Sequence, residues 1–258
     1  MVTISCNGTV FPHIKAVFLD KDGTLANVSS YLTRLGHHQA QLMDKQRPGC
    51  LPLLLQVLGI SENGLDPAGL MAVGNRQETL IGAASAAAIG GCPWVEAMAL
   101  ASTTFAVADQ RYSPKAAHTP LLPGALDLLQ RLRQGNLKIS MVSADAQVHL
   151  ENFVEHHQLQ KYFDHLQGVC PEYPDKVAPN FFQAACHGLG MEPHQVLVIG
   201  DAATDLQVAT RAAGFIGYLG GWQPPLGPTK IASQQSLDEL SIASAFATDF
   251  WQIQLTKL

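Results

Sequence analysis

The chain has 258 residues, of which 47% are hydrophobic and 14% are charged, and its formal net charge is −5. This length suits one large domain or a domain that carries an insertion. The acidic balance, with lysines and arginines scattered along the chain, disfavours a nucleic-acid backbone as the main partner.

Cysteine usage is typical of a protein from a reducing compartment, and no segment predicts secretion or a membrane span. The five cysteines are far apart, and none of their spacings suggests a zinc site or a disulfide framework. The N-terminus has no basic region followed by an apolar one, so no signal peptide is predicted. The uncharged stretch Leu80–Val95 is mostly alanine and glycine and is too weakly apolar for a membrane span. We therefore expect a cytoplasmic protein with no membrane partner.

The first predicted elements are a hairpin and a buried strand. Residues 2–11 predict a short hairpin with Asn7-Gly8 as its turn, and the apolar run Ala16–Asp20 predicts a strand. Helical spacing then dominates residues 27–115, where we find no convincing strand, so this region is predicted to be an all-helical insertion. Its helix signals are the spacing of Leu32, Leu35, Leu42 and Met43, the runs Leu51–Leu58, Arg76–Ile89 and Val95–Asp109, and a helix start at Asp66-Pro67.

From Leu121 onward, strands and helices alternate. The predicted helices are Ala125–Gln134, Val148–Gln158, Asn180–Gly188 and Leu206–Ala213, with a short one at Leu237–Leu240. The predicted strands are Lys138–Val142, His165–Val169, Gln195–Ile199 and Phe215–Leu219, with an edge strand at Trp251–Leu255. This alternation predicts an α/β fold, with a parallel sheet covered by helices on both faces.

Two carboxylates stand at the end of the first parallel strand. Asp20 and Asp22 are separated by one residue, so their side chains point the same way on an extended segment. The carboxyl end of such a strand is where open α/β sheets place their ligands. Two acidic groups so close repel unless one is protonated or a cation sits beside them. This stretch therefore predicts a site that combines a nucleophile, a proton shuttle and a metal.

Other polar residues follow the later strands. Ser143 comes directly after Val142, Asp201 and Asp205 follow Ile199, and Lys176 lies in a loop. Taken singly, Ser143, Lys176 and Asp205 are typical turn, surface and helix-start residues. Because parallel strand ends share one edge of the sheet, all of them can meet Asp20, and the set favours a catalytic site.

Four segments in this order resemble the motifs of the haloacid dehalogenase-like (HAD) superfamily. They are Asp20–Leu25, Ile139–Ser143, Lys176 with Pro179 and Phe182, and Gly200–Asp205 followed by Ala212–Gly214. The resemblance covers residues 16–25 and 121–221. It implies a Rossmann-like core of residues 1–25 and 116–258 and a helical cap of residues 26–115, similar to that of phosphoglycolate phosphatase-like and β-phosphoglucomutase-like members.

The resemblance also implies roles in catalysis. Asp20 would attack a phosphate monoester and form an aspartyl-phosphate. Asp22 would protonate the leaving oxygen and then take a proton from the hydrolytic water. Lys176 would neutralise charge on the transferring phosphoryl group.

A metal site and a phosphate site follow from the same resemblance. Mg²⁺ would be bound by Asp20, the backbone carbonyl of Asp22, Asp201 and Asp205, the last directly or through water. The phosphate oxygens would be held by the Ser143 hydroxyl and by the backbone N–H groups of Gly23, Thr24 and Ala144.

The function implied is a Mg²⁺-dependent phosphatase for a small phosphorylated metabolite, similar to phosphoglycolate or a sugar phosphate. Two alternatives stay open. One is a phosphomutase of the β-phosphoglucomutase type, and the other is a phospho-accepting or binding module without turnover. A dehalogenase is disfavoured, because Asp22 would have no leaving-group oxygen to protonate.

Overall fold

The computed structural model describes residues 2–222, 231 and 242–257. The chain divides into two compact units, Met1–Asn27 with Thr119–Leu258, and Val28–His118. We call them the core unit and the inserted unit. The helix predicted at Leu237–Leu240 lies outside the described residues. Among the helices that are described, none is both long and apolar enough to cross a membrane.

A small antiparallel sheet joins the N-terminal hairpin to the C-terminal strand. Its strands, in the order β11-β1-β2, are β1 (Val2–Cys6), β2 (Thr9–Ile14) and β11 (Ile253–Lys257). The predicted hairpin is confirmed, and Asn7 (φ 48°) and Gly8 (φ 90°) adopt the left-handed backbone that a two-residue hairpin turn requires. The C-terminal strand is an edge strand as predicted, but it begins two residues later than expected.

The main sheet of the core unit has six parallel strands in the order β10-β9-β8-β3-β6-β7. They are β3 (Ala16–Leu19), β6 (Lys138–Ala146), β7 (His165–Val169), β8 (Val196–Gly200), β9 (Gly214–Tyr218) and β10 (Ser244–Ala247). The strand β10 is an addition to the predicted set. The four residues of β3 are all buried and apolar, as expected of a strand with neighbours on both sides.

Among the residues that the structure describes, four helices of the core unit cover the sheet, which gives the predicted α/β architecture. They are α6 (Ala125–Gln134), α7 (Gln147–His156), α8 (Pro179–Leu189) and α9 (Ala203–Ala209). The bounds predicted for α9, Leu206–Ala213, are wrong. The helix begins at Ala203 because the carboxylate of Asp205 accepts the backbone N–H of Ala202 at 2.9 Å, which satisfies a free amide at the helix start.

The inserted unit is mainly helical. Its helices are α1 (Ser29–Gln46), α2 (Cys50–Leu58), α3 (Leu70–Val73), α4 (Arg76–Ile89) and α5 (Trp94–Arg111). Alanines line the buried faces of α4 and α5, which permits the close approach of these two helices. At the start of α4, Asn75 and Glu78 form a reciprocal capping box.

Two predictions for the inserted unit are wrong. The region is not entirely helical, because β4 (Ile60–Ser61) and β5 (Gly64–Leu65) form a two-residue antiparallel ladder. No helix starts at Asp66-Pro67 either. The Asp66 carboxylate accepts the N–H of Ala68 at 3.0 Å and thereby closes a local turn, and α3 begins only at Leu70.

Asp164 ties the start of β7 to the neighbouring strand and helix. Its carboxylate accepts the backbone N–H of Ile139 at 3.0 Å, and it pairs with Arg133 at 2.6 Å and with Lys138 at 2.8 Å. Partial burial alone raises the pKa of Asp164. The hydrogen bonds from Lys138 and Ile139 and the charge of Arg133 outweigh it, and the net pKa is below its usual value.

We expect Asp164→Asn to lower the free energy of unfolding at pH 7 by about 1–2 kcal/mol, because charge-assisted bonds to the carboxylate are weakened. A carboxyl group with a depressed pKa stabilises the folded state above its unfolded pKa, and this contribution is lost as the pH falls. The deficit measured by urea unfolding should therefore shrink below about pH 4. Glu155→Gln, an exposed change on α7, is the control. A deficit that is constant from pH 7 to pH 3 would contradict the role assigned to the charge.

Candidate active site

The register of the sheet places the predicted site residues at one edge. The central strand β3 pairs with β6 through Leu19 and Met141, and with β8 through Leu19 and Ile199. The residues that follow these pairs therefore lie side by side. Asp20 and Asp201 come directly after β3 and β8, and Ser143 lies in the part of β6 beyond its last pair with β3. This is the carboxyl edge of a parallel sheet, as the sequence predicted.

Three buried aspartates converge at this edge. Asp20 follows β3, Asp201 follows β8 and Asp205 lies in the first turn of α9. One carboxylate oxygen from each lies within 4.8 Å of the other two. We call this group the acidic cluster. The structure thus brings together three of the four aspartates that were predicted to bind a metal.

Lys176 is the cation of the acidic cluster. It arrives from the loop before α8, and its side chain is only 5% exposed. Its ammonium group lies 2.5 Å from the Asp20 carboxylate and 2.6 Å from that of Asp205. The lysine therefore bridges two aspartates that are far apart in sequence, as expected if it neutralises charge next to Asp20.

Burial and crowding shift the pKa values in the acidic cluster. Burial, followed by the charges of Asp205 and Asp22, raises the pKa of Asp20 to about 7 despite the opposing effect of Lys176. Burial and the charges of Asp20 and Asp205 also raise the pKa of Asp201 well above its usual value. Burial alone lowers the pKa of Lys176, but the charges of Asp20 and Asp205 and their hydrogen bonds raise it overall.

These groups fit a divalent cation. With all three carboxylates ionised, they and the one ammonium group would carry two formal negative charges in a buried place, which is costly unless a cation compensates them. The donors are all carboxylate oxygens, which Mg²⁺ prefers over nitrogen and sulfur ligands. Asp20, Asp201 and Asp205 would hold the ion.

Asp22 has a separate environment. Its carboxylate forms an ion pair with the ammonium group of Lys21, which lies 2.9 Å from the carboxylate of Asp145 as well. The Lys21 side chain is 1% exposed and lies over the ring of Phe153. The Asp22 side chain is therefore not part of the acidic cluster, and the contribution of its backbone carbonyl to a metal site stays a prediction.

The predicted phosphate-binding groups lie around the same edge with different local partners. The Ser143 hydroxyl is buried and accepts the backbone N–H of Asp145 at 3.2 Å, while Ala144 is exposed. The N–H of Gly23 donates to the carbonyl of Ala26 at 3.0 Å, so it could bind a phosphate oxygen only by sharing or breaking that bond. The Thr24 hydroxyl donates to Asp201 at 2.9 Å.

Comparisons with known proteins agree with this architecture. The sequence profile described as hydrolase, haloacid dehalogenase-like hydrolase, matches residues 14–213. The chain belongs to the haloacid dehalogenase-like hydrolase family. The profile match includes every residue placed in the acidic cluster, together with Lys176.

Three relatives illustrate the similarity, each at low sequence identity. The chain is 26% identical over 203 residues to a phosphoglycolate phosphatase from Nitrosospira multiformis, an alignment that covers 78% of this chain and 80% of that protein. A haloacid dehalogenase-like hydrolase from Streptococcus pneumoniae has a similar fold, with a TM-score of 0.62, 18% identity, and coverage of 93% of this chain and 96% of that one. A HAD-superfamily hydrolase of subfamily IA from Geobacter sulfurreducens has a TM-score of 0.53 and 18% identity, with coverage of 83% and 90%.

Sequence reasoning missed three residues of the site. Lys21 stands between the two aspartates, and Asp145 stands two residues after Ser143. Trp222 follows Gly220-Gly221 after β9, and its indole N–H donates to Asp201 at 2.7 Å. Asp145 lies near the carboxyl end of β6 and Trp222 comes after β9, so the argument that placed Asp201 at this edge could have identified both.

We expect Lys176→Met to lower the free energy of unfolding by about 3 kcal/mol, because the buried carboxylates of Asp20 and Asp205 lose their shared cation. Urea unfolding in the presence of a chelator measures this without compensation by a metal. The double variant with Asp205→Asn should recover part of the loss, since one uncompensated carboxylate is then gone. Lys15→Met, an exposed change before β3, is the matched control. Equal stability of Lys176→Met and the control would contradict the assignment.

Proposed function

We propose that the protein is a Mg²⁺-dependent phosphatase that hydrolyses a small phosphate monoester through an aspartyl-phosphate. The observation that carries the proposal is the position of Asp20. Its carboxylate lies at the end of the central strand, 2.5 Å from the ammonium group of Lys176 and within the acidic cluster. The proposed nucleophile, Asp20, is thus adjacent to the ammonium group of Lys176 and to carboxylate oxygens that suit a divalent cation.

The proposed chemistry has two steps. A carboxylate oxygen of Asp20 attacks phosphorus, the bond from phosphorus to the ester oxygen breaks, and Asp22 donates a proton to the leaving oxygen. A water molecule then attacks the phosphorus of the aspartyl-phosphate, Asp22 takes a proton from this water, and the carboxylate of Asp20 is released with inorganic phosphate. The net reaction consumes one water molecule and regenerates both aspartates.

The remaining groups stabilise and orient charge in this proposal. The bound cation would polarise the phosphoryl oxygens as a Lewis acid. Lys176 neutralises negative charge beside Asp20, and its burial strengthens that interaction. Ser143, Thr24 and Ala144, with Gly23, are proposed to hold the phosphoryl oxygens.

The substrate class is inferred from similarity. The relative from Nitrosospira multiformis is named phosphoglycolate phosphatase, which supports a small phosphorylated metabolite such as phosphoglycolate or a sugar phosphate. As part of the same proposal, the inserted unit is a cap of the type found in such enzymes and selects the organic portion of the substrate.

We expect hydrolysis of 4-nitrophenyl phosphate with Mg²⁺, and loss of this activity with a chelator. Asp20→Asn should lower kcat by at least about a thousandfold, because an amide is not a competent nucleophile. Asp127→Asn, at an exposed position on α6, is the control and should retain activity. Nitrophenolate release is followed by absorbance. Full activity of Asp20→Asn would exclude the proposed nucleophile.

A second experiment separates turnover from the alternatives. The enzyme is incubated with Mg²⁺ and a panel that includes phosphoglycolate and hexose phosphates, and both inorganic phosphate and sugar products are measured. Release of phosphate from one member supports the phosphatase. Isomerised sugar phosphate without phosphate release would indicate a mutase, and a phosphorylated protein that persists for hours would indicate a phospho-accepting module. Either of these two results would overturn the proposed function.

A further inference from the structure

One tryptophan is far more buried than the other two in the chain. Trp222 is 2% exposed, whereas Trp94 and Trp251 are 50% and 59% exposed. Its indole N–H lies 2.7 Å from Oδ2 of Asp201. A buried tryptophan usually has a hydrogen-bond partner, but here the partner is a member of the acidic cluster.

Two glycines permit the close approach of the loop that carries Trp222. The segment after β9 crosses the turn after Asp22 so closely that a Cβ on Gly221 would lie 1.7 Å from the carbonyl oxygen of Gly23. A Cβ on Gly23, which has a φ of 77°, would lie 2.2 Å from Oδ2 of Asp201 and 2.8 Å from Nε1 of Trp222. Neither position accepts a larger residue without movement of the backbone or of the Asp201 carboxylate, so the contact is built into the loop.

The Asp201 carboxylate is held at both oxygens. Thr24 donates to Oδ1 at 2.9 Å, and Trp222 donates to Oδ2. An indole N–H can only donate a hydrogen bond, so Oδ2 must act as an acceptor. Each carboxylate oxygen has two lone pairs, and therefore one lone pair on each oxygen is still available to a cation. The plane of the carboxylate is fixed before any ion binds.

We propose that Trp222 is a positioning residue that holds the Asp201 carboxylate in the orientation needed to bind a divalent cation. Groups that hydrogen-bond to metal ligands orient them, and their removal typically weakens metal binding by about 10–100-fold. The inference rests on the proposed function in one respect only, namely that the acidic cluster binds Mg²⁺. It does not depend on the identity of the substrate or on the roles of Asp22 and Lys176.

The first test compares Trp222→Phe with Trp251→Phe, which removes an exposed indole from the same unit. Mg²⁺ alone is titrated into each protein by calorimetry. We expect the Kd for Mg²⁺ to rise about 10–100-fold in Trp222→Phe and to stay within twofold of the unmodified protein in Trp251→Phe. If 4-nitrophenyl phosphate is hydrolysed, the Mg²⁺ concentration for half-maximal rate should rise by the same factor, whereas kcat at saturating Mg²⁺ should change by less than threefold.

The second test does not require a variant at position 222. In the double variant Trp94→Phe and Trp251→Phe, the remaining indole is Trp222, and its fluorescence reports on the Asp201 carboxylate directly. Addition of Mg²⁺ should shift or quench the emission with the Kd found by calorimetry. The further change Asp201→Asn should abolish the response.

The outcomes separate this inference from the proposed function. If Mg²⁺ does not bind the unmodified protein, the metal-dependent function fails and the inference fails with it. If Mg²⁺ binds but Trp222→Phe has an unchanged Kd, or the indole emission does not respond, the role of Trp222 is overturned while the phosphatase proposal stands. A fall in kcat at saturating Mg²⁺ with an unchanged Kd would likewise overturn the positioning role.

Discussion

The burial of three aspartates beside Lys176, the one lysine that pairs with them among the described residues, is the constraint on which the rest of the site depends. Carboxylates removed from water are costly unless they are paired or hydrogen-bonded. Lys176 pairs with Asp20 and Asp205, while Asp201 receives its two hydrogen bonds from neutral donors. Neutral donors reduce the cost of burial but add no positive charge. The ionised cluster would therefore keep negative charge that a divalent cation could compensate. This charge lies at the position of the proposed nucleophile.

A second ionic group stands next to this cluster and gives the neighbouring aspartates a different cation. Lys21 pairs with Asp22 and Asp145, while Lys176 pairs with Asp20 and Asp205. The two lysines thus divide the acidic side chains at this edge into two sets. Asp20 is held within the buried cluster, and the carboxylate of Asp22 is turned toward a different cation, although the two residues share one short motif. The structure thus gives the two aspartates of this motif different partners and different degrees of burial.

The sheet explains how such distant residues are brought together. The strand β3 lies between β6 and β8, and the same residue, Leu19, is in register with both neighbours. The residues that follow Leu19, Met141 and Ile199 therefore begin at the same level. A fourth loop, after β9, passes very close to the turn at Gly23. A side chain at Gly221 would clash with the backbone of Gly23, and one at Gly23 would clash with Asp201 and Trp222. Rigid, buried strands thus set the positions of loops that carry the chemistry.

Much of this arrangement follows from local patterns in the chain. The alternation of apolar strands and amphipathic helices predicted the parallel sheet. The position of Asp20, Ser143 and Asp201 after apolar runs predicted that they share an edge, and the hairpin at Asn7-Gly8 was predicted by its turn residues. These features depend on side-chain periodicity and backbone preference within a few residues, which a sequence displays directly. The ladder of β4 and β5, the strand β10 and the start of α9 were missed, because short strands and a side chain that bonds to a nearby N–H leave weak periodic signals.

The choice of partners among the charged residues could be made only by the folded chain. Nothing in the order of residues states that Lys21 pairs with Asp22 and Asp145, that Lys176 pairs with Asp20 and Asp205, or that Trp222 donates to Asp201. Most of these contacts join segments that are far apart in sequence, and like-charged side chains compete for the same few cations. Which pairs form depends on distances of a few ångströms and on burial, because electrostatic energies change steeply with both. The sequence therefore determined the edge of the sheet at which these polar residues lie, and the tertiary packing decided which carboxylates converge there.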